Sequence, residues 1–223
     1  CMKYYFLVLT ICCSFILNIE AMSQKNISYL ALGDSYTIGE GVPLYESYPY
    51  QAVQILRKKG VNILAPEIVA KTGWTTDELQ TAINNAKFLP LYDLVTLLIG
   101  VNNQYRGNSP EIYADEFESL LKQAIAFAGN DNKRVAVLNI PDWGATPFAE
   151  GRDRAKITEE INAFNAINRK ISSKYRVQYF DITPGTRLAA QDPSLVTKDK
   201  LHPSGKEYTK WAEKVAKFVS TIR

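Results

Sequence analysis

Ser35, Asp199 and His202 are the residues whose types and spacing could together perform nucleophilic catalysis. Ser35 ends a Gly-Asp-Ser sequence that directly follows the apolar run 28–32. His202 is the only histidine, and Asp199 precedes it by three residues, which a single turn can bring within reach. A serine hydroxyl needs a base and an orienter for that base. The alternative for a lone histidine is a structural or surface position, but the nearby aspartate favours a catalytic one.

Apolar runs and amphipathic segments alternate along the chain and must position these residues. The strand candidates are Tyr29–Gly33, Ile63–Val69 (weakened by Pro66), Leu94–Ile99, Arg134–Ile140 and Val177–Phe180. Helices are predicted from a capping box at Thr75 and Glu78, a cap and first-turn proline at Ser109-Pro110, and apolar faces over Ile157–Ile171 and Tyr208–Ile222. Such alternation predicts a parallel sheet covered by helices on both faces. Function is then expected in the loops after the strands.

Five loop sequences supply the chemical groups at that edge. They are Gly33-Asp34-Ser35, Lys71-Thr72-Gly73-Trp74, Gly100-Val101-Asn102-Asn103, Pro141-Asp142-Trp143-Gly144 and Asp199-Lys200-Leu201-His202-Pro203. The order of four of these motifs resembles the SGNH, or GDSL, hydrolase superfamily. The motifs are Gly-Asp-Ser, the glycine after the second strand, Gly-x-Asn and Asp-x-x-His-Pro. The resemblance runs through nearly all of residues 22–223. It implies a flavodoxin-like, three-layer α/β/α fold with a central, mostly five-stranded parallel sheet.

The resemblance also implies a role for each matching residue. Ser35 resembles the family nucleophile, His202 its general base and acid, and Asp199 the orienter of the histidine. The oxyanion donors would be the backbone N–H groups of Ser35 and Gly73 and the side-chain amide of Asn102. No metal or other cofactor is implied.

Two positions depart from the family pattern, and two tryptophans follow strands near the site. Tyr36 stands where Gly-Asp-Ser-Leu has leucine, and Asn103 stands where Gly-x-Asn-Asp has aspartate. Neither replaces a catalytic group, but both can alter substrate fit. Tyr36, Trp74 and Trp143 are the candidate substrate-pocket residues. Both tryptophans could equally be core or rim aromatics.

Other nearby residues have two interpretations each. Asp34 is either a second catalytic carboxylate or, the favoured interpretation, the organiser of its turn through backbone N–H groups. Arg106 either meets an anionic leaving group or is simply solvated, and solvation is favoured. Thr37 occupies the last glycine place of Gly-x-Ser-x-Gly, so the nucleophile elbow of ordinary α/β-hydrolases is a poorer match.

The combined expectation is a serine esterase that works through an acyl-enzyme. Its substrates would be lysophospholipid, aryl or short-acyl esters, or thioesters. The alternative is a carbohydrate O-acetyl esterase that acts on acetylated polysaccharide. A non-catalytic binding module on the same fold is disfavoured, because Ser35, Asn102 and His202 are all present.

Residues 1–21 resemble a secretory signal peptide, which leaves 22–223 as a single domain. A basic tip precedes a short, mostly apolar segment, and Ala21 offers a small residue for cleavage. A membrane anchor would want about 20 apolar residues, and the residue before Cys12 does not suit lipid attachment, so both are less favoured. The predicted location is secreted or periplasmic, without a stable membrane span after processing.

Composition excludes several other functions. All three cysteines lie within residues 1–21, so disulfides and cysteine chemistry are excluded from the predicted mature chain. With one histidine and no mature cysteine, the usual zinc site cannot be assembled. The net charge of +3 comes without a basic block, so no nucleic-acid partner is expected. The expected partner is a small-molecule or lipid ester, or an acetylated glycan.

Overall fold

A five-stranded parallel sheet in the order β2-β1-β3-β4-β5 lies at the centre of the computed structural model, which describes residues 26–222. The strands are β1 (Tyr29–Asp34), β2 (Glu67–Lys71), β3 (Leu94–Leu98), β4 (Val135–Leu138) and β5 (Gln178–Phe180). Asp34 is in register with Lys71, and Gly33 with Leu98. The segments that follow β1, β2 and β3 therefore emerge together at one edge of the sheet.

Helices cover both faces of this sheet. The helices are α1 (Ser35–Ile38), α2 (Tyr48–Lys58), α3 (Thr76–Asn85), α4 (Val101–Tyr105), α5 (Pro110–Phe127), α6 (Arg154–Lys174), α7 (Thr183–Arg187) and α8 (Gly205–Thr221). Single 3₁₀ turns lie at Leu44–Glu46, Asn132–Arg134, Trp143–Ala145, Pro147–Ala149, Leu188–Ala190 and Pro193–Leu195. Helix α2 packs against α8, while α5 packs against α3 and α6. With right-handed crossovers, these two groups form the outer layers of the predicted three-layer fold.

Burial follows the position of each strand in the sheet. Every residue of β1, β3 and β4 is buried, whereas β2 and β5, at the two edges, are partly exposed. Continuous apolar sequence suits strands covered on both faces. Helix α8 completes the core with the buried side chains of Tyr208, Trp211 and Val215. Burial of an aliphatic side chain such as that of Val215 contributes roughly 1.5–3 kcal/mol.

The predicted helix starts near the site are confirmed. Thr75 and Glu78 form a reciprocal capping box before α3. Ser109 accepts a hydrogen bond from Ile112 N, and Pro110 begins α5. These caps satisfy backbone N–H groups that a helix otherwise leaves unpaired.

The second strand and one helix differ from the expectation. The strand predicted over Ile63–Val69 instead spans Glu67–Lys71, because Pro66 lacks the N–H needed for a ladder hydrogen bond. Ile63 forms only an isolated bridge with Ile27. Helix α2 was not predicted, although a proline in its first turn and basic residues in its last turn are both helix signals.

The predicted signal peptide, residues 1–21, lies outside the described residues. Within residues 26–222, no helix combines the length and apolar character needed to cross a bilayer.

Candidate active site

Ser35, His202 and Asp199 form a continuous chain of hydrogen bonds at the carboxyl end of β1. Ser35 begins α1, directly after the strand, and its Oγ lies 2.9 Å from His202 Nε2. His202 Nδ1 lies 2.7 Å from Asp199 Oδ2. Ser35 and His202 are 167 residues apart in sequence, and both are buried. The arrangement suits removal of the serine proton by the imidazole.

Asp199 holds the backbone around the histidine as well as its ring. Its Oδ1 accepts hydrogen bonds from Leu201 N (2.8 Å), His202 N (3.0 Å) and Thr197 Oγ1 (2.7 Å). Partial burial raises the pKa of this carboxyl, but the hydrogen bonds from His202, Thr197 and the two backbone groups outweigh it and lower the pKa to about 2. Asp199 is therefore ionised throughout the neutral range.

Asp34 lies beside the serine and organises its turn. The carboxyl group caps α1 by accepting a hydrogen bond of 3.0 Å from Tyr36 N. Complete burial raises its pKa to about 8, against the opposing effect of backbone hydrogen bonds. Its other oxygen lies 3.5 Å from Asn102 Nδ2 and does not contact His202 by hydrogen bond. The observed geometry matches the turn-organising interpretation.

Gly73 and Asn102 lie on the wall of the same cleft as Ser35. Gly73 has a φ of 85°, a left-handed backbone conformation that residues other than glycine rarely adopt. Asn102 Nδ2 donates to Trp74 O at 2.9 Å; because a carbonyl only accepts, this contact identifies the amide nitrogen. Gly100, which precedes α4, has a φ of 130°, and a Cβ there would lie 2.5 Å from the Tyr113 ring. Glycine at that position therefore allows the close packing that places Asn102.

Asn103 and Arg106 serve structural contacts near the cleft. Asn103 is fully buried; it accepts from Thr76 N at 3.1 Å and donates to Thr76 Oγ1 at 2.6 Å, which ties α4 to the start of α3. Arg106 pairs with Glu78 at 3.2 Å and donates to Gly73 O at 2.5 Å. Its charge is thus already partnered within the protein.

The cleft beside Ser35 has a volume of about 230 Å³ and a mostly apolar wall. Its lining residues are Ser35, Tyr36, Thr72, Gly73, Val101, Asn102, Tyr105, Trp143, Phe148, Leu201 and His202. Sequence reasoning did not place Val101, Tyr105, Phe148 or Leu201 there. Their signal was weak: each lies in a segment after a strand, but nothing in an isolated apolar residue separates a cleft wall from a core.

The three predicted pocket aromatics occupy different places. Tyr36 is buried, and its ring centroid lies 5.0 Å from that of His202, so it packs against the imidazole. Trp143 lines the cleft. Trp74 does not line it; its partly buried ring packs against the hydrophobic core, and only its carbonyl reaches the site, through Asn102.

Trp143 is fixed from two sides. Its Nε1 donates to Gln104 Oε1 at 2.7 Å. The turn before it is held by the buried Asp142 carboxylate, which accepts from Gly144 N at 3.0 Å and pairs with Arg187 at 2.9 Å. The indole is therefore a rigid part of the cleft wall.

A buried serine that is hydrogen-bonded to a histidine, which is in turn hydrogen-bonded to an aspartate, lies at the carboxyl edge of the parallel sheet, an arrangement that suits hydrolysis through a serine nucleophile. The described residues contain no group of three histidine, cysteine or acidic side chains that could hold a metal ion. Residues 31–210 match the family model described as the GDSL-like Lipase/Acylhydrolase family. The chain therefore belongs to this family and is a carboxylic ester hydrolase.

Solved structures with the same fold include the following three, two of which carry a hydrolase activity in their names. The lipase/acylhydrolase from Enterococcus faecalis is 17% identical, with a TM-score of 0.66 over 87% of this chain and 96% of its own. TesA is 17% identical, with a TM-score of 0.66 over 88% and 99%. Axe2, an acetylxylan esterase from Geobacillus stearothermophilus, is 16% identical, with a TM-score of 0.67 over 87% and 96%. No curated protein sequence matches the chain. At these identities, the structural likeness establishes the fold alone.

Proposed function

We propose that this protein is a serine esterase in which Ser35 is the nucleophile, His202 the general base and acid, and Asp199 the orienter of the imidazole. The observation that carries the proposal is the chain of hydrogen bonds from Ser35 Oγ to His202 and on to Asp199, at 2.9 and 2.7 Å, beside an apolar cleft. Ionised Asp199 accepts from Nδ1–H and leaves Nε2 free to accept the serine proton.

In the acylation step, Ser35 Oγ attacks the ester carbonyl while its proton moves to His202 Nε2. The tetrahedral intermediate collapses, His202 donates that proton to the departing alcohol, and the acyl group stays on Ser35. His202 then takes a proton from water, whose oxygen attacks the acyl-enzyme carbonyl. As the bond between the acyl carbon and Ser35 Oγ breaks, His202 returns that proton to Oγ, and the carboxylic acid leaves.

The backbone N–H groups of Ser35 and Gly73 and the amide of Asn102 are proposed to stabilise the oxyanion. All three residues line the cleft that holds the serine hydroxyl. Asn102 Nδ2 carries two N–H donors; its contact with Trp74 O at 2.9 Å uses one of them, and the other makes only a long contact of 3.5 Å with Asp34 Oδ2, which an oxyanion could replace. Donors held before the reaction act most strongly on charge that appears only in the transition state.

The cleft favours a short acyl group. Its volume of about 230 Å³ is below the range of roughly 300–1,000 Å³ that is usual for pockets of drug-sized ligands. Its apolar wall, which includes Val101, Trp143 and Leu201, suits an alkyl or aryl substituent. We therefore place short-acyl and aryl esters ahead of long-chain lysophospholipids and thioesters.

A carbohydrate O-acetyl esterase is the second candidate. The rings of Tyr105 and Phe148 are partly exposed at the cleft and offer apolar faces for a sugar. Axe2, which shares the fold, is named as an acetylxylan esterase. The acetyl group is also the acyl group that a small cleft accepts most easily.

A series of p-nitrophenyl esters from acetyl to palmitoyl, run beside acetylated xylan, tests the proposal. We expect kcat/KM to be highest for short acyl groups and Ser35→Ala to lower kcat by about 10³-fold or more. Faster release of acetate from xylan than from p-nitrophenyl acetate would favour the second candidate. No turnover of any ester, or full activity in Ser35→Ala, would refute the proposed function.

We also propose export of the protein through removal of residues 1–21. The proposal rests on the sequence pattern alone, a short apolar segment that ends at Ala21. The intact mass of the secreted protein tests it. A product that retains Cys12 and Cys13, or that carries a lipid, would contradict it.

A further inference from the structure

The guanidinium of Arg152 lies over three aromatic rings of the catalytic cleft. Its Cζ is 5.5 Å from the ring centroid of Tyr105, 5.4 Å from that of Trp143 and 5.5 Å from that of Phe148. The three rings also contact one another: Trp143 lies 5.2 Å from Tyr105 and 6.1 Å from Phe148, between centroids. We call these three rings the aromatic platform. Since all three line the cleft with Ser35, the platform holds a positive charge at the edge of the reaction site.

The platform fixes Arg152 without neutralising it. Its side chain makes one hydrogen bond, of 3.4 Å, to Tyr105 Oη. No carboxylate in residues 26–222 lies within ion-pairing distance of its guanidinium, and the carboxylate of the next residue, Asp153, instead caps α6 through Lys156 N. Arginine carries several N–H donors in a planar fork, so most of them remain available.

Arg106, which reaches Gly73 at the cleft wall, provides the contrast. Its guanidinium is engaged by Glu78 and by Gly73 O. Arg152 therefore differs in having an aromatic support in place of an acidic partner. A planar cation on an apolar support is a suitable receptor for a carboxylate or a phosphate, which it can bind through two parallel hydrogen bonds.

We propose that Arg152 is a specificity-determining residue that binds an anionic group on the ester substrate. The inference rests on the proposed function, because it requires the scissile carbonyl to lie at Ser35. The preferred substrate would carry a carboxylate or phosphate on its acyl or alcohol part, with the intervening carbons against the aromatic platform.

Matched anionic and neutral esters test this selectivity. Mono-p-nitrophenyl adipate and p-nitrophenyl hexanoate differ by a carboxylate on the acyl part, and butyryl glycerol phosphate and monobutyrin differ by a phosphate on the alcohol part. We expect Arg152→Gln to lower the anionic-to-neutral ratio of kcat/KM by about tenfold in at least one pair, because hydrogen bonds between charged groups are the stronger ones. Arg152→Lys should keep part of the ratio, since it retains the charge but not the planar fork.

Arg169→Gln is the control. Arg169 also lies over an aromatic ring, that of Tyr179 at 4.7 Å, but it pairs with Asp181, and Tyr179 does not line the cleft, unlike the rings beneath Arg152. Its substitution should leave both ratios unchanged. In the wild type, raising the salt concentration from about 0.01 M to about 1 M should reduce the preference for the anionic ester.

The outcomes separate this inference from the proposed function. If the wild type hydrolyses the esters but Arg152→Gln changes neither ratio, the inference is wrong and the esterase function stands. A parallel fall of both rates with an unchanged ratio would mean that Arg152 only braces the platform, which also overturns the inference. If the wild type hydrolyses none of these esters or those of the acyl series, the proposed function fails and the inference fails with it.

Discussion

Asp199→Asn should nearly abolish turnover, because the two carboxylate oxygens of Asp199 face different kinds of contact. Oδ1 accepts from Leu201 N and His202 N, so an asparagine must keep its carbonyl oxygen there. Its NH₂ group then faces His202 Nδ1, which lies 2.7 Å from Oδ2 in the wild type. Two donors cannot face each other at this distance, so the ring must carry its proton on Nε2, towards Ser35. That tautomer cannot accept the serine proton.

The expected magnitude follows from the exposure of the carboxylate. The corresponding change at a buried triad aspartate lowers kcat by about 10⁴-fold. The Asp199 side chain is 40% exposed, and the screening by solvent reduces our expectation to about 10³-fold, or about 4 kcal/mol of activation free energy.

Single-turnover and steady-state kinetics on a p-nitrophenyl ester measure this loss, with circular dichroism to establish that the variant is folded. Thr197→Val is the matched control: it removes the 2.7 Å hydrogen bond to Oδ1 but leaves the contact with His202, so less than a tenfold loss is expected. Nearly full activity in Asp199→Asn would refute the assignment of Asp199 as the residue that orients His202.

Two further predictions concern neighbours of the serine. Asn102→Ala should lower kcat by about 10²–10³-fold with little change in KM, and should cost almost nothing more in a Ser35→Ala background; a change mainly in KM, or only in Tm, would remove Asn102 from the oxyanion site. Between pH 3.8 and about 8, Asp34 holds a proton in the folded state, whereas the unfolded chain releases it. The contribution of this proton to the free energy of unfolding is therefore complete below pH 3.8 and is lost as the pH rises towards 8. Asp34→Asn should remove this loss, which corresponds to roughly 6 kcal/mol at most, about 4 kcal/mol of it above pH 5. Denaturant unfolding at pH 5 and pH 9 measures it, and parallel behaviour of the two proteins would contradict it.

The sequence was sufficient for the main features of the fold because its signals were local and agreed with one another. The alternation of apolar runs and capped helices predicted the parallel sheet, and the five observed strands confirm it. The error at β2 arose where two local signals conflicted: Ile63 is apolar enough for a strand, but Pro66 delays ladder pairing until Glu67. Helix α2 has its apolar positions at Tyr48, Ala52, Val53 and Leu56, which are buried largely through packing against α8. These positions follow a helical period, so the sequence does carry the signal for this helix, and the prediction omitted it.

In the candidate site, the catalytic loops could be predicted from the sequence, whereas the wall of the cleft could not. The loops that carry Ser35, Asn102 and His202 could be placed at one edge of the sheet, because parallel strands all end there. The cleft wall could not be predicted in the same way: Trp74 and Trp143 both follow strands and both contact the core, yet of the two only Trp143 also lines the cleft. The positions of Phe148 and Arg152 depend on the path of a connection between β4 and α6, and composition does not determine that path.

The most direct test of the account is the site of covalent modification by a fluorophosphonate. At neutral pH, only a base-activated serine should react, so we expect one adduct per molecule, mapped by mass spectrometry to the peptide that contains Ser35. Loss of esterase activity should follow the extent of labelling, and Ser35→Ala should remain unlabelled. An adduct on another serine, or full activity in a preparation labelled at Ser35, would contradict the account.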